Sequence, residues 1–87
     1  MIYAVRLLPM AEGFIDSLDK KVAERIAKKL RMVGKNPFRY LERYAGRGRY
    51  KLRIGKYRAL IDVDSANHEL LVMALDKRSR IYKIRNK

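Results

Sequence analysis

Apolar and polar residues alternate along this chain with two different periods. Residues 2–8, IYAVRLL, are β-branched and aliphatic and stop at Pro9, which predicts a strand followed by a helix start, because proline suits the first helical turn. Over 9–18, Met10, Phe14 and Leu18 recur every four residues with Ala11 and Ile15 beside them, forming the stripe of one helix. Asp19 has an N-cap side chain, Val22, Ile26, Leu30 and Val33 form the next stripe, and Gly34 is expected as the residue just past that helix. Joined by about one residue, the two predict an antiparallel helical hairpin. The segment KNPFRYLERYAG then reads as a loop with room for a helical turn.

From residue 49 the period becomes two. RYKLRI alternates, Gly55-Lys56 makes a tight turn, YRALIDVD alternates again, and SANHE is a second turn before LLVMAL. LLVMAL is apolar on both faces and is expected in the sheet interior, flanked by other strands. The order β-α-α-β-β-β predicts an α+β single domain over 1–87. Its mainly antiparallel sheet has four strands, with the helical hairpin on one face and a strand end or short helix over 78–87.

This alternation assigns faces. Tyr50, Leu52, Ile54, Tyr57, Ala59, Ile61 and Val63 are expected toward the helices, which leaves Lys51, Arg53 and Arg58 together on the open face. Charge makes that placement consequential. The 87 residues carry a formal net charge of +13, and residues 43–58 hold seven Lys or Arg without an acidic residue. A further six fall in the last eleven positions, again with no acid. Like charges opposed across a strand pair destabilise it, so a polyanionic partner is expected. Arginine offers phosphate a planar fork and lysine a compact charge, and Tyr44, Tyr50, Tyr57 and Tyr82 are candidates to stack on bases, with Tyr50 and Tyr57 in core phase. Nucleic acid fits this pattern.

The absence of cysteine excludes disulfides, thiolate metal sites and a Cys nucleophile. The nine Asp and Glu are scattered without metal-ligand spacing, so no metal and no cofactor are expected. The N-terminal stretch matches neither a signal peptide nor a spanning helix, so a cytoplasmic protein without membrane contact is expected. The sole histidine, His68, lies in the second turn, away from the basic cluster, and reads as a surface residue. Any chemistry then falls to Lys, Arg and Tyr. A lysine crowded by cations gives up its proton more readily and can act as a base, while arginines stabilise a developing phosphorane. That scheme suits attack by a ribose 2′-OH on its own phosphate, a reaction open to RNA and not to DNA.

YKLRIGKYRALIDVD at 50–64 and KRSRIY at 77–82 resemble the RelE/ParE superfamily of toxins from toxin–antitoxin systems, and specifically its RelE branch, over essentially the whole chain. The first stretch is similar to the family's paired basic strands and the second to its closing basic-aromatic segment. The resemblance implies a ribosome-dependent, metal-independent endoribonuclease, an mRNA interferase that enters the A site, cleaves mRNA and inhibits translation. By position it implies Lys51 as general base, Arg53 as phosphate stabiliser, Arg58 as support for the transition state, Arg78 at the leaving group and Tyr82 stacked on the nucleotide. Arg80 is the alternative to Arg78. Arg43, Arg47, Arg49, Lys56, Lys77, Arg80 and Lys83 are the implied RNA-binding residues. Implied partners are the ribosome, mRNA and a RelB-like antitoxin, the toxin being a monomer alone and part of a higher assembly with antitoxin. Two other readings stand beside this one: a ParE-like inhibitor of DNA gyrase, and a non-catalytic homologue that binds RNA or antitoxin.

Overall fold

The computed structural model describes residues 2–44 and 48–77. In chain order they form β1 (Ala4–Leu7), α1 (Pro9–Asp16), α2 (Lys20–Lys35), α3 (Pro37–Tyr40), β2 (Glu42–Arg43), β3 (Arg49–Ile54), β4 (Tyr57–Asp64) and β5 (Glu69–Lys77). The sheet has five strands in the order β1-β5-β4-β3-β2, all neighbours antiparallel except β1 and β5, which run parallel. The expected α+β class and helix layer are present, and β5 lies between β1 and β4 as its apolar pattern predicts. The strand count is five rather than four because the two residues of β2 pair with Lys51 and Tyr50. A two-residue strand has too few positions to display a period. The helical turn foreseen in that loop is α3, stopped where Leu41 turns extended and buries itself. The segment 78–87, foreseen as a strand end or short helix, lies outside the described residues.

One core lies between sheet and helices. Ala11, Ile26, Leu30 and Val33 meet Leu52, Ala59, Ile61, Leu70, Val72 and Leu75, with Tyr50 and Tyr57 packed against them as the alternation predicts. Each fully buried Ile or Leu there contributes about 1.5–3 kcal/mol relative to an exposed one. Between Leu60 and Ile61 the β4–β5 register slips, so Leu60 pairs with Ala74, Ile61 with Val72, and Met73 is the extra residue. The slip reverses the pleat of β5. Leu70 and Val72 before it and Leu75 after it all reach the same core, and the apolar run on both faces of LLVMAL follows from that as well as from the strand's interior place.

Gly34 is not the residue past α2 but lies inside its last turn, and the cap is Asn36. A Cβ at Gly34 would meet the Tyr3 carbonyl oxygen at 2.7 Å and the Val5 side chain at 3.1 Å. The Tyr3 N–H donates to the Gly34 carbonyl at 2.7 Å. Glycine is there for close approach of α2 to the strand beginning at Ala4, a requirement that a local pattern does not reveal. Asp19 does occupy the N-cap, without a side-chain hydrogen bond to the helix.

Candidate functional site

Strand register determines which cations share a surface. β3 and β4 pair with Arg49 opposite Asp62, Lys51 opposite Leu60 and Arg53 opposite Arg58, and β4 and β5 pair Arg58 with Asp76. Gly55, at φ 60°, permits the two-residue turn that sets this register. Three rows therefore cross the face turned away from the helices: Arg53-Arg58-Asp76, then Glu42-Lys51-Leu60-Ala74, then Arg49-Asp62-Leu71. Leu60 and Ala74, buried with Tyr44 against them, make an apolar floor in the middle row.

The three central cations differ in exposure. Arg53 is exposed, Lys51 is half-buried, and Arg58, in the sheet's central strand, is 9% exposed. The expectation that all three stand open together thus holds for the face they occupy and fails for Arg58's accessibility. Lys51 Nζ lies 3.8 Å from Glu42 Oε1 and 5.7 Å from the centre of the Tyr44 ring. Arg49 Nε donates to Asp62 Oδ1 at 3.3 Å. Carboxylates thus orient Lys51 and Arg49, whereas Arg53 has no carboxylate within ion-pair distance among the described residues.

Other residues of the predicted set lie elsewhere. Arg43 pairs with Tyr50 and Lys77 with Tyr57, which puts both in core-side rows of the pleat rather than with Lys51. Lys56, in the β3–β4 turn, has its Nζ 5.9 Å from the centre of the Tyr57 ring. Arg47, Arg78, Arg80, Tyr82 and Lys83 fall outside the described residues. Glu42 was missed by the sequence reading, because only cross-strand pairing brings it to Lys51. His68 is exposed at the far end of β4, with φ 52°, its ring edge-on to Tyr3 at 5.2 Å.

The arrangement suits an extended anion. A cavity of about 330 Å³ lies between α2 and the β3–β4 turn, lined by Val22, Ile26, Ile54 and Tyr57, on the other side of the sheet from Lys51 and Arg53. The cations instead occupy a surface two strands wide, across which a phosphodiester backbone can lie. Among the described residues no three His, Asp or Glu side chains stand close enough to hold a metal ion, and no helix is long and apolar enough to cross a membrane.

Residues 5–82 match the model of the ParE toxin of type II toxin–antitoxin systems. The chain belongs to this toxin family. Its fold is that of solved toxins from the RelE side of the same superfamily. The toxin–antitoxin complex RelBE2 from Mycobacterium tuberculosis contains a chain with TM-score 0.81 and 20% identity, the match covering 91% of this chain and 94% of that one. The archaeal RelE–RelB complex from Pyrococcus horikoshii gives 0.77 and 22%, covering 92% and 99%. The isolated E. coli RelE toxin gives 0.74 and 23%, covering 97% and 95%. No curated protein sequence matches the chain. Membership in the ParE toxin family agrees with the RelE/ParE superfamily that the strand pair at 50–64 resembles, while the matching model names the ParE branch and the fold is shared with RelE toxins.

Proposed function

We propose that this toxin is a cytoplasmic, metal-independent endoribonuclease that cleaves mRNA in the ribosomal A site. The observation that carries this reading is the register of β3 and β4, which sets Arg53 and Arg58 directly opposite each other with Lys51 one step along on the same face. In the reaction the 2′-oxygen attacks the adjacent phosphorus and its proton passes to Lys51 Nζ, acting as the unprotonated amine. The bond to the 5′-oxygen breaks to leave a 2′,3′-cyclic phosphate and a 5′-oxygen that takes a proton from water to become a 5′-hydroxyl. Arg53 and Arg58 stabilise the charge that gathers on the equatorial oxygens. Arg78 takes the leaving-group role and Tyr82 the stacking role. Arg49 and Tyr44 line the path of the flanking nucleotides.

A RelB-like antitoxin is the proposed partner, masking this cationic face in an assembly that the monomeric toxin forms only with it. The solved complexes of RelE-like folds with RelB-type antitoxins support that pairing. Primer extension on an mRNA in a translation extract, with and without ribosomes, tests the function. The expected result is cleavage in the reading frame only when ribosomes are present, lost in Arg53→Ala.

The matching family model, which is the ParE one, favours a second reading. In that reading the same face inhibits DNA gyrase without breaking RNA. Purified toxin that blocks supercoiling and leaves translated mRNA intact decides for it.

A further inference from the structure

The longest helix carries a second cationic surface that the proposed chemistry does not use. Seven of the sixteen residues of α2 are Lys or Arg against one Glu. Ile26, Leu30, Val33 and Gly34 face the core. At 3.6 residues per turn the opposite side of the helix is centred on Lys21, Lys28 and Lys35, with Arg25 and Arg31 on its shoulders, and all five are exposed. The three lysines recur every seven residues, so they stand about 10.5 Å apart in a straight line of roughly 21 Å.

This line is costly to the helix that bears it. Lys21 and Arg25, Arg25 and Lys28, and Arg31 and Lys35 are like charges at spacings of three or four, which destabilise a helix. Lys20 and Lys21 occupy the first turn, where the helix dipole disfavours cations and which holds no acidic residue of its own, Asp19 being the N-cap before it. None of the three ion pairs among the described residues involves an α2 cation. Glu24, exposed between Lys21 and Lys28, is the one acid on this face and stands against five cations, an imbalance a solvated face that interleaves its signs does not show.

We infer that the outer face of α2 is a docking surface for the phosphate backbone of double-helical RNA. Its composition separates that ligand from the other polyanions. The side chain of Met32 is the only large apolar one among these cations, and no aromatic lies on the line, whereas protein interfaces rely on aromatic and aliphatic anchors and are depleted in lysine. The lack of aromatics also removes the stacking platform on which single strands are held. The apolar face of α2 is committed to the core, so the helix cannot lie in a membrane interface. Phosphates positioned by a row of lysines remain, and duplex RNA is recognised mainly through its shape and backbone. The choice of RNA over DNA rests on the function proposed above. A nuclease that takes single-stranded mRNA on its open face needs a grip on structured RNA elsewhere, and α2 is on the reverse side of the sheet.

The full-length toxin and its Lys21→Gln/Lys28→Gln/Lys35→Gln variant, titrated against a blunt duplex RNA across a salt series, test this inference. Anisotropy of the labelled duplex is the readout, with duplex DNA of the same sequence and poly-glutamate as parallel probes. The variant is expected to bind duplex RNA at least ~10-fold more weakly near 0.1 M salt and to lower the slope of log affinity against log salt by about 2–3. Its circular dichroism and melting midpoint should hold, since the lysines are exposed, and the corresponding triple arginine variant should restore affinity. Unchanged affinity and slope would overturn the assignment, as would a clear preference for duplex DNA or an equal loss of affinity for poly-glutamate. The probe contains no ribosome and no cleavable single strand. Failure of mRNA cleavage with duplex binding intact would therefore count against the nuclease alone.

Discussion

The open face of the sheet and the outer face of α2 are both cationic, yet they hold their charge in different ways. On the sheet, Lys51 has Glu42 and the Tyr44 ring beside it and Arg49 is hydrogen-bonded to Asp62. Those partners restrict where each cation can be, so the face is organised before any ligand arrives. On α2 the line from Lys21 to Lys35 has no carboxylate within ion-pair distance among the described residues, and long side chains on an exposed helix remain free to follow a backbone. Oriented charge serves a transition state, whose geometry is narrow, whereas mobile charge serves a polyanion, whose phosphates are many and equivalent. The two faces should therefore respond differently to the same loss of one positive charge.

The largest difference is expected in the rate of cleavage. Removing a positioned proton-transfer group typically costs about 10²–10⁴-fold, so Lys51→Ala should lower the single-turnover cleavage rate on saturated ribosomes by that order. The α2 triple glutamine variant should raise the toxin concentration needed for half-maximal cleavage and leave the saturated rate within about twofold, because diffuse phosphate contacts contribute to association and not to the chemical step. Quantified primer extension over a range of toxin concentrations separates the two. Equal losses of saturated rate from both changes would erase the distinction.

The next effect concerns what keeps the two faces in fixed relation. β1 lies against α2 at Gly34, where an added Cβ would come within 2.7 Å of the Tyr3 carbonyl oxygen, a backbone atom that cannot swing aside. Gly34→Ala forces the strand away and strains the Tyr3 N–H bond to the Gly34 carbonyl. A loss of about 1–3 kcal/mol is expected, less the small gain in helix propensity, read as a lowered urea midpoint with an unchanged slope. Gly13, in α1, meets nothing within 4 Å of an added Cβ, so Gly13→Ala is the matched control and should be neutral or stabilising.

Much of this arrangement is legible in the amino-acid sequence, and the rest fails for identifiable reasons. Alternation over 49–64 places Leu52, Ala59 and Ile61 in the core and Lys51, Arg53 and Arg58 opposite them, because a period of two leaves each side chain one face to choose. The same pattern puts Tyr50 and Tyr57 on the core, where they pack, while Tyr44, in a stretch read as a loop, has no phase to place it on the other face where it lies. What the pattern does not carry is register between strands distant in sequence. Glu42 reaches Lys51 only after β2 has paired with β3, so a carboxylate that looks remote along the chain becomes a neighbour, whereas the two-residue Gly55-Lys56 turn already sets Asp62 opposite Arg49. Arg58 likewise reads as a displayed cation by phase, but it occupies the middle strand of five, and its burial follows from that place. Gly34 is misread for a related reason, since a helix-ending glycine and one required by a packed strand look alike in one dimension.

A smaller effect probes the sheet face directly. Glu42 is exposed and its contact with Lys51 is long, so Glu42→Gln should change stability by less than about 1 kcal/mol. It should nevertheless tighten binding of a single-stranded, 2′-deoxy-blocked oligonucleotide a few-fold at low salt, because the phosphate no longer competes with a carboxylate for Lys51. The gain should fade as salt screens both interactions. If Glu42 instead holds Lys51 in its productive position, the same variant binds more tightly and cuts more slowly, a split that measuring both quantities reveals.

The smallest expected effect concerns a carboxylate that shares the end of β4 with Asp62 but belongs to neither cationic face. Asp64 accepts from the Asn67 side-chain amide at 2.9 Å and from the Asn67 backbone N–H at 3.1 Å, and these bonds hold its carboxyl below the ordinary value of 3.8. A carboxyl depressed in the folded state stabilises the fold above its unfolded pKa and loses that contribution as pH falls through the folded one. Asn67→Ala removes the side-chain bond and leaves the backbone one, so the variant should be slightly less stable than the parent near pH 7. The difference should close on acidification below the ordinary value of 3.8, as Asp64 takes up its proton in both proteins. Urea midpoints across that range measure it. Because this carboxylate closes the β4–β5 turn and pairs with no cation among the described residues, duplex and single-strand affinities should both stay unchanged at pH 7. A shift in either would mean that the turn helps to set the register on which the Arg53-Arg58 row depends.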